Sequence, residues 1–163
     1  MRQMGGGSVM VWGMLLPFGY VRVFRMIEKI DSKAYVNFLQ ENVLPVLEDL
    51  FESFDFVFQQ DNASIHTGKV AMEWLLNNFP SVLDWPAKSP DVNPQENVWK
   101  LLSERVYDGP SYKNTEELWE GIKKAEEYIN INKRDVLKNL VDGMNSRLIK
   151  VIEKGGKNHQ LSL

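Results

Sequence analysis

The chain has 163 residues, 44% of them apolar and 25% charged, which is the size and balance of one ordinary globular domain. It contains no cysteine, which excludes disulfides, thiolate metal sites and a cysteine nucleophile, so that oxygen ligands and two histidines, His66 and His159, remain to hold any metal. A net charge of −3 argues against wholesale polyanion binding, and no apolar run reaches the length of a membrane span.

The first elements are read from "SVMVWGMLLPFGYVRVFRMI", rich in valine, methionine and aromatics and interrupted once at Pro17, Phe18 and Gly19. This pattern predicts two antiparallel strands around a tight turn. Asp31 or Ser32 can cap a following helix in which Tyr35, Phe38, Leu39, Val43, Val46, Leu47 and Leu50 recur at helical spacing, with a bend at Pro45. "FDFVFQ" alternates Phe54, Phe56 and Phe58 against Asp55, Val57 and Gln59, which predicts a third strand ending at Asp61. After a turn over residues 62–67, Val70, Ala71, Trp74 and Leu75 predict a short helix, and "SVLDW" a short strand ended by Pro86.

Residues 86–94 hold three prolines and are expected to form an ordered loop. Asn93 followed by Pro94 then predicts a helix start, because asparagine caps free N–H groups and proline fits the first helical position. Glu96 falls in the first turn of that helix. Two further helices are expected, near 115–130 with Leu118, Ile122, Ala125 and Ile129 on one stripe, and near 133–154 with Val136, Leu140, Val141, Met144, Leu148 and Val151 on another. There is no internal repeat and no long linker, so residues 1–163 are read as one domain, with a sheet core over 5–107 and C-terminal helices over 114–154. "DGPSYKN", from Asp108 to Asn114, is the one plausible seam. The element order is that of a mixed sheet with helices on its faces, an α/β class. The opening "MRQMGGGS" lacks the basic-then-apolar layout of a secretory signal, and an intracellular location is expected.

Charge is unevenly placed: residues 1–86 carry 6 basic and 10 acidic side chains, and residues 132–163 carry 7 basic and 3 acidic. The basic end can face phosphate or can be a solvated helix face, the commoner case on charge alone. Asp61 at a strand end and Glu96 at a helix start, the latter reached through a proline-stiffened loop, are carboxylates on rigid elements. In a chain without cysteine such a pair suits a hard divalent cation that prefers oxygen, magnesium above all. Taken alone, Asp61 is more often a turn former and Glu96 more often a helix-dipole partner. His66 by itself is more often a hydrogen-bonded loop residue, and Trp85 and Trp99 core or rim aromatics.

Four stretches decide between these readings. "GGGSVMVWG" (Gly5 to Gly13), "FQQDNASIHT" (Phe58 to Thr67), "DWPAKSPDVNPQENVWK" (Asp84 to Lys100) and "KGGKN" (Lys154 to Asn158) together resemble the catalytic domain of a Tc/mariner superfamily DNA transposase, in family order and over nearly the whole chain. Between Asp61 and Glu96 lie 34 residues, the spacing of the family branch whose third catalytic acid is a glutamate. The resemblance implies a ribonuclease-H-like mixed sheet flanked by helices, in which three acids, Asp, Asp and Glu, bind two Mg2+ or Mn2+ ions. Asp61 matches the second acid and Glu96 the third. Asn62, His66 and Asn97 would support the site or touch substrate, and Arg147, Lys150, Lys154 and Lys157 would contact DNA. The implied activity is metal-dependent cleavage of a transposon end followed by strand transfer into target DNA, in the nucleus. The implied partners are DNA and a second copy of the chain in a homodimer, with no membrane.

The first acid and its strand would precede "GGGSVMVWG", where only Met1 to Met4 stand, and so would a helix-turn-helix module that reads transposon ends. With two of three carboxylates the chain is expected to be inactive alone. Unpaired sheet edges are expected to leave it unstable, swapped with a partner or rearranged. The alternative is a transposon-derived remnant or domesticated protein that no longer cuts and acts by binding DNA or protein.

Overall fold

The computed structural model describes residues 7–26, 30–85, 93–109 and 111–153, with the side chains of 150–153 outside that description. The described chain clusters into two compact units, one built from residues 7–26 and 93–153 and the other from residues 30–85. The proline loop before Asn93 lies almost wholly outside the described residues, as do the "KGGKN" stretch and His159.

In the first unit, strands β1 (Met10–Leu16) and β2 (Tyr20–Met26) form the expected hairpin, paired antiparallel from Met10↔Met26 to Leu16↔Tyr20. Its three-residue turn closes with Gly19 N–H donating to Leu16 O at 3.0 Å, and Gly19 takes φ +74, the left-handed conformation that such a loop requires. A Cβ there would lie 2.8 Å from Arg134 O, so glycine also lets the next helices approach. Val21 and Val23 alternate inward from β2 and meet Val98, Leu102 and Val106 of helix α5 (Pro94–Tyr107). Leu118, Ile122, Ala125 and Ile129 of α6 (Thr115–Asn132) complete the same core, so this helical stripe lies where its spacing predicts.

Helix α6 runs along the outer edge of β2 and satisfies it. Asn130 accepts from Val21 N–H at 2.8 Å and donates to Val21 O at 2.9 Å, replacing the two bonds that a neighbouring strand would make. Glu126, almost fully buried, faces Arg22 and Lys123, and farther along Glu116 holds Arg25 through two 2.7 Å bonds. The Arg25 guanidinium beside it keeps the Glu116 carboxyl below the ordinary carboxylate range.

The single helix expected over 133–154 is two helices, α7 (Arg134–Asp142) and α8 (Met144–Glu153), separated at Gly143. Gly143 is the C-cap of α7 in right-handed conformation, and within α7 Leu137 is fully buried while the expected Val136 is 45% exposed.

In the second unit, Asp31 caps α1 (Ser32–Phe38), its carboxylate accepting from Ala34 N–H at 2.8 Å. A five-residue π segment, Leu39–Val43, then leads into α2 (Leu44–Leu50). The expected distortion thus precedes Pro45: proline has no N–H to give Glu41, and the chain widens one turn earlier, with Leu44 N–H reaching back to Leu39 O. Tyr35, Leu39, Val43 and Leu47 are buried with Ala71, Leu75 and Phe79. The last three belong to α4 (Lys69–Asn78) and the residue that follows it.

The third and fourth strands are not formed as ladders. Phe58 and Val82 make one isolated parallel bridge, through Phe58 N–H to Ser81 O at 2.9 Å and Leu83 N–H to Phe58 O at 2.8 Å. The period-two pattern was nonetheless correct about faces. Phe54, Phe56 and Phe58 all pack on Phe79, with centroids 5.7, 6.0 and 4.7 Å away, while Val57 is 55% exposed. Ring packing holds the segment extended where two backbone bonds alone would not form a strand.

Candidate active site

Asp61 follows the Phe58 bridge and precedes the short helix α3 (Ser64–Thr67), whose N-cap is Ala63. Its Oδ1 accepts from Ala63 N–H at 3.0 Å and meets His66 Nδ1 at 2.6 Å. With Asp61 ionised, a carboxylate only accepts, and in this contact His66 Nδ1 is the donor. Both contacts fall on Oδ1, and Oδ2 receives no hydrogen bond among the described residues. The Asp61 side chain is 51% exposed and the His66 ring 15%. The turn-former and ligand readings of Asp61 are therefore compatible: one oxygen organises the turn, and the other is left without a hydrogen bond among the described residues on a half-exposed side chain.

Asn62 donates to Trp85 O at 2.8 Å, tying the turn to the residue before the proline loop. His66 packs its ring on Tyr35, centroids 4.6 Å apart. Sequence reasoning missed Gln60, whose Oε1 accepts from the Tyr35 hydroxyl at 3.0 Å and whose Nε2 donates to His66 O at 3.1 Å. The available signal was its position, a polar side chain immediately before the acid on the half-buried end of an aromatic segment.

Glu96 lies in the first turn of α5 in the other unit, exposed, behind a cap in which Asn93 Oδ1 accepts from Gln95 N–H at 3.0 Å. Asn97 is exposed beside it. What sets this helix end against the hairpin is Gly13: a Cβ there would stand 2.6 Å from the Trp99 ring and 3.0 Å from Gln95 Nε2. Gln95 Nε2 is buried with no hydrogen-bond partner among the described residues. The glycine of "GGGSVMVWG" thus admits the side chains on either side of Glu96.

The structure brings Asp61, Asn62 and His66 together and places Glu96 and Asn97 on one helix turn. Arg147 turns back onto α7, its guanidinium donating to the Leu140 and Gly143 carbonyls, so this arginine caps a helix C-terminus. Lys150 lies on α8 with its side chain undescribed, and Lys154 and Lys157 lie outside the described residues. Among the described residues no three His, Cys, Asp or Glu side chains converge as a metal cluster, and no helix is long and apolar enough to cross a membrane. Exposed or half-exposed carboxylates such as Asp61 and Glu96 nevertheless fit a hard divalent cation by donor chemistry.

The profile of the DDE superfamily endonuclease family matches residues 2–119. The chain is 37% identical over 156 residues to the Tc3 transposase of Caenorhabditis elegans, covering 95% of this chain and 46% of that protein. It is 33% identical over 153 residues to the Tc1 transposase of the same organism, covering 93% of this chain and 54% of the relative. The chain thus spans about half the length of the curated relatives it matches. Among solved structures, the Mos1 transposase catalytic domain with raltegravir and magnesium superposes with a TM-score of 0.71 at 18% identity, over 93% of this chain and 77% of that one. The Mos1 paired-end complex with left transposon end gives 0.74 at 19% identity, over 96% and 46%. At that identity the likeness shows the fold, and the mixed α/β, ribonuclease-H-like expectation holds.

Proposed function

The chain belongs to the DDE superfamily endonucleases, on their Tc1/mariner branch, and from that premise we propose that it supplies the second and third acids, Asp61 and Glu96, of a metal-dependent DNA cleavage and strand-transfer site. The observation that carries the reading is the half-exposed Asp61 carboxylate, with one oxygen committed to the turn and the other without a hydrogen bond among the described residues. The Mos1 transposase catalytic domain has been solved with magnesium and with manganese, and Mos1 transposase as a paired-end complex with left transposon end. By analogy this chain would use Mg2+ or Mn2+, two ions in the complete site, and would act on transposon ends and target DNA as a homodimer, in the nucleus.

Such ions supply Lewis-acid activation of the attacking oxygen and stabilise the leaving one. Asp61 Oδ2 and the Glu96 carboxylate would be this chain's ligands. His66 and Ala63 N–H fix the Asp61 rotamer, and Asn62 anchors the turn to Trp85. A third carboxylate is needed, and Lys150, Lys154 and Lys157 would meet DNA phosphates.

To test this, the part of the C. elegans Tc3 transposase outside the match is joined to this chain, and cleavage of Tc3 transposon ends is followed with Mn2+. Cleavage lost on Asp61→Ala and on Glu96→Ala, and absent from the 163-residue chain alone, supports the assignment. Cleavage unchanged in both variants sinks it.

A further inference from the structure

Tyr35 is a fully buried aromatic on α1, and its helical spacing explains the ring but not the hydroxyl. That hydroxyl donates to Gln60 Oε1 at 3.0 Å. The His66 carbonyl, which can only accept, fixes which way the Gln60 amide points, with Nε2 toward that carbonyl and Oε1 toward the Tyr35 hydroxyl. Nε2 donates to the His66 carbonyl at 3.1 Å and lies 3.9 Å from Met72 Sδ. Tyr35 also packs its ring against the imidazole, centroids 4.6 Å apart and planes inclined by 40°. The histidine is thus held twice by one buried residue, at its backbone through Gln60 and at its ring by direct packing. His66 in turn places Nδ1 2.6 Å from Asp61 Oδ1.

A half-exposed aspartate has several staggered side-chain conformations open to it, and a metal ligand must keep one. Resting on the reading of Asp61 as a metal ligand, we propose that Tyr35 and Gln60 are positioning residues, which lock the His66 imidazole so that it occupies Asp61 Oδ1 and leaves Oδ2 as the coordinating oxygen. Neither touches the metal or the substrate. They act through His66, in the way that outer-shell partners orient metal-binding side chains.

The chain has only two histidines, which makes the test direct. Imidazole nitrogen shifts are measured by NMR at one fixed pH on the 163-residue chain, without metal or DNA, for wild type, Tyr35→Phe and Gln60→Met. Tyr35→Phe removes one oxygen and keeps the ring, and Gln60→Met keeps the length and removes both amide links. Circular dichroism confirms that at least one variant is folded. The expected result is one His66 tautomer in the wild type, with the proton on Nδ1, and averaged tautomer shifts in each folded variant. In the same samples Mn2+ binding, read from the loss of the free-ion EPR signal, is expected to weaken by about tenfold or more. Wild-type nitrogen shifts in a folded variant overturn the proposal, as does Mn2+ binding left unchanged by the variants. Absence of Mn2+ binding in the wild-type chain follows from the missing third carboxylate and bears on the metal reading alone, while the nitrogen shifts still decide whether Tyr35 and Gln60 set the imidazole.

Discussion

Replacing Asn130 by alanine removes both bonds that close the β2 edge, the 2.8 Å bond from Val21 N–H and the 2.9 Å bond to Val21 O. Val21 is fully buried and Asn130 only 9% exposed, so neither backbone group has water at hand once the amide is gone. A buried polar group left without a partner costs roughly 1–3 kcal/mol, and some water will follow the vacated side chain, so the pair is expected to cost about 2–4 kcal/mol. In a chain of this size that lowers the midpoint of thermal unfolding by roughly 5–15 °C. The internal control is Asn132, two residues along the same helix, whose Nδ2 donates to Tyr128 O at 2.9 Å on the exposed side. Asn132→Ala should cost no more than about 0.5 kcal/mol. The assay is urea unfolding followed by circular dichroism, with hydrogen exchange of the Val21 amide. Equal midpoints for the two variants, or a Val21 amide still protected in Asn130→Ala, would refute the idea that a helix amide stands in for a strand.

Two further outcomes follow from named contacts. Gly13→Ala drives a methyl group into Trp99 and Gln95, so α5 must move; a stability loss of about 1–3 kcal/mol and impaired cleavage in the Tc3-joined protein are expected, by urea unfolding and strand-cleavage assay. Glu116 has its carboxyl held down chiefly by the hydrogen bonds from Arg25, with opposing desolvation and a smaller charge attraction. A depressed folded value contributes stability that is complete above the unfolded value, about 4.5, and is lost as pH falls through the folded one. Thermal midpoints measured below pH 5 should therefore fall less steeply in Glu116→Gln than in wild type. Parallel acid limbs in the two proteins would refute the pairing.

Elements decided by local rules were legible in the sequence. The Pro17–Gly19 turn, the Asp31 cap and the Asn93–Pro94 start all depend on residues within a few positions of one another, and they stand where the sequence places them. The segment through Phe58 shows where such reading stops: alternation reports which face is buried, but a strand also needs neighbours, and Phe58 has one bridge, to Val82. Gly143 divides the helix expected over 133–154 into two, a break that apolar residues continuing at helical spacing across it do not reveal. At the candidate site, the two acids are proposed from motif and spacing. The Asp61–His66 contact depends on a five-residue turn and the Tyr35–Gln60 link on helix packing 25 residues away, neither of which has a sequence period.

The central claim is that Asp61 and Glu96 bind divalent metal together, and it is tested most directly by iron-mediated affinity cleavage. Fe2+ with ascorbate and peroxide cuts a polypeptide where the ion is bound, and the fragments are mapped by mass spectrometry. The prediction is backbone scission near Asp61 and near Glu96, suppressed by excess Mg2+ and lost at both places in either Asp61→Ala or Glu96→Ala. Scission at only one of the two, or a pattern indifferent to both substitutions, would contradict a shared metal site.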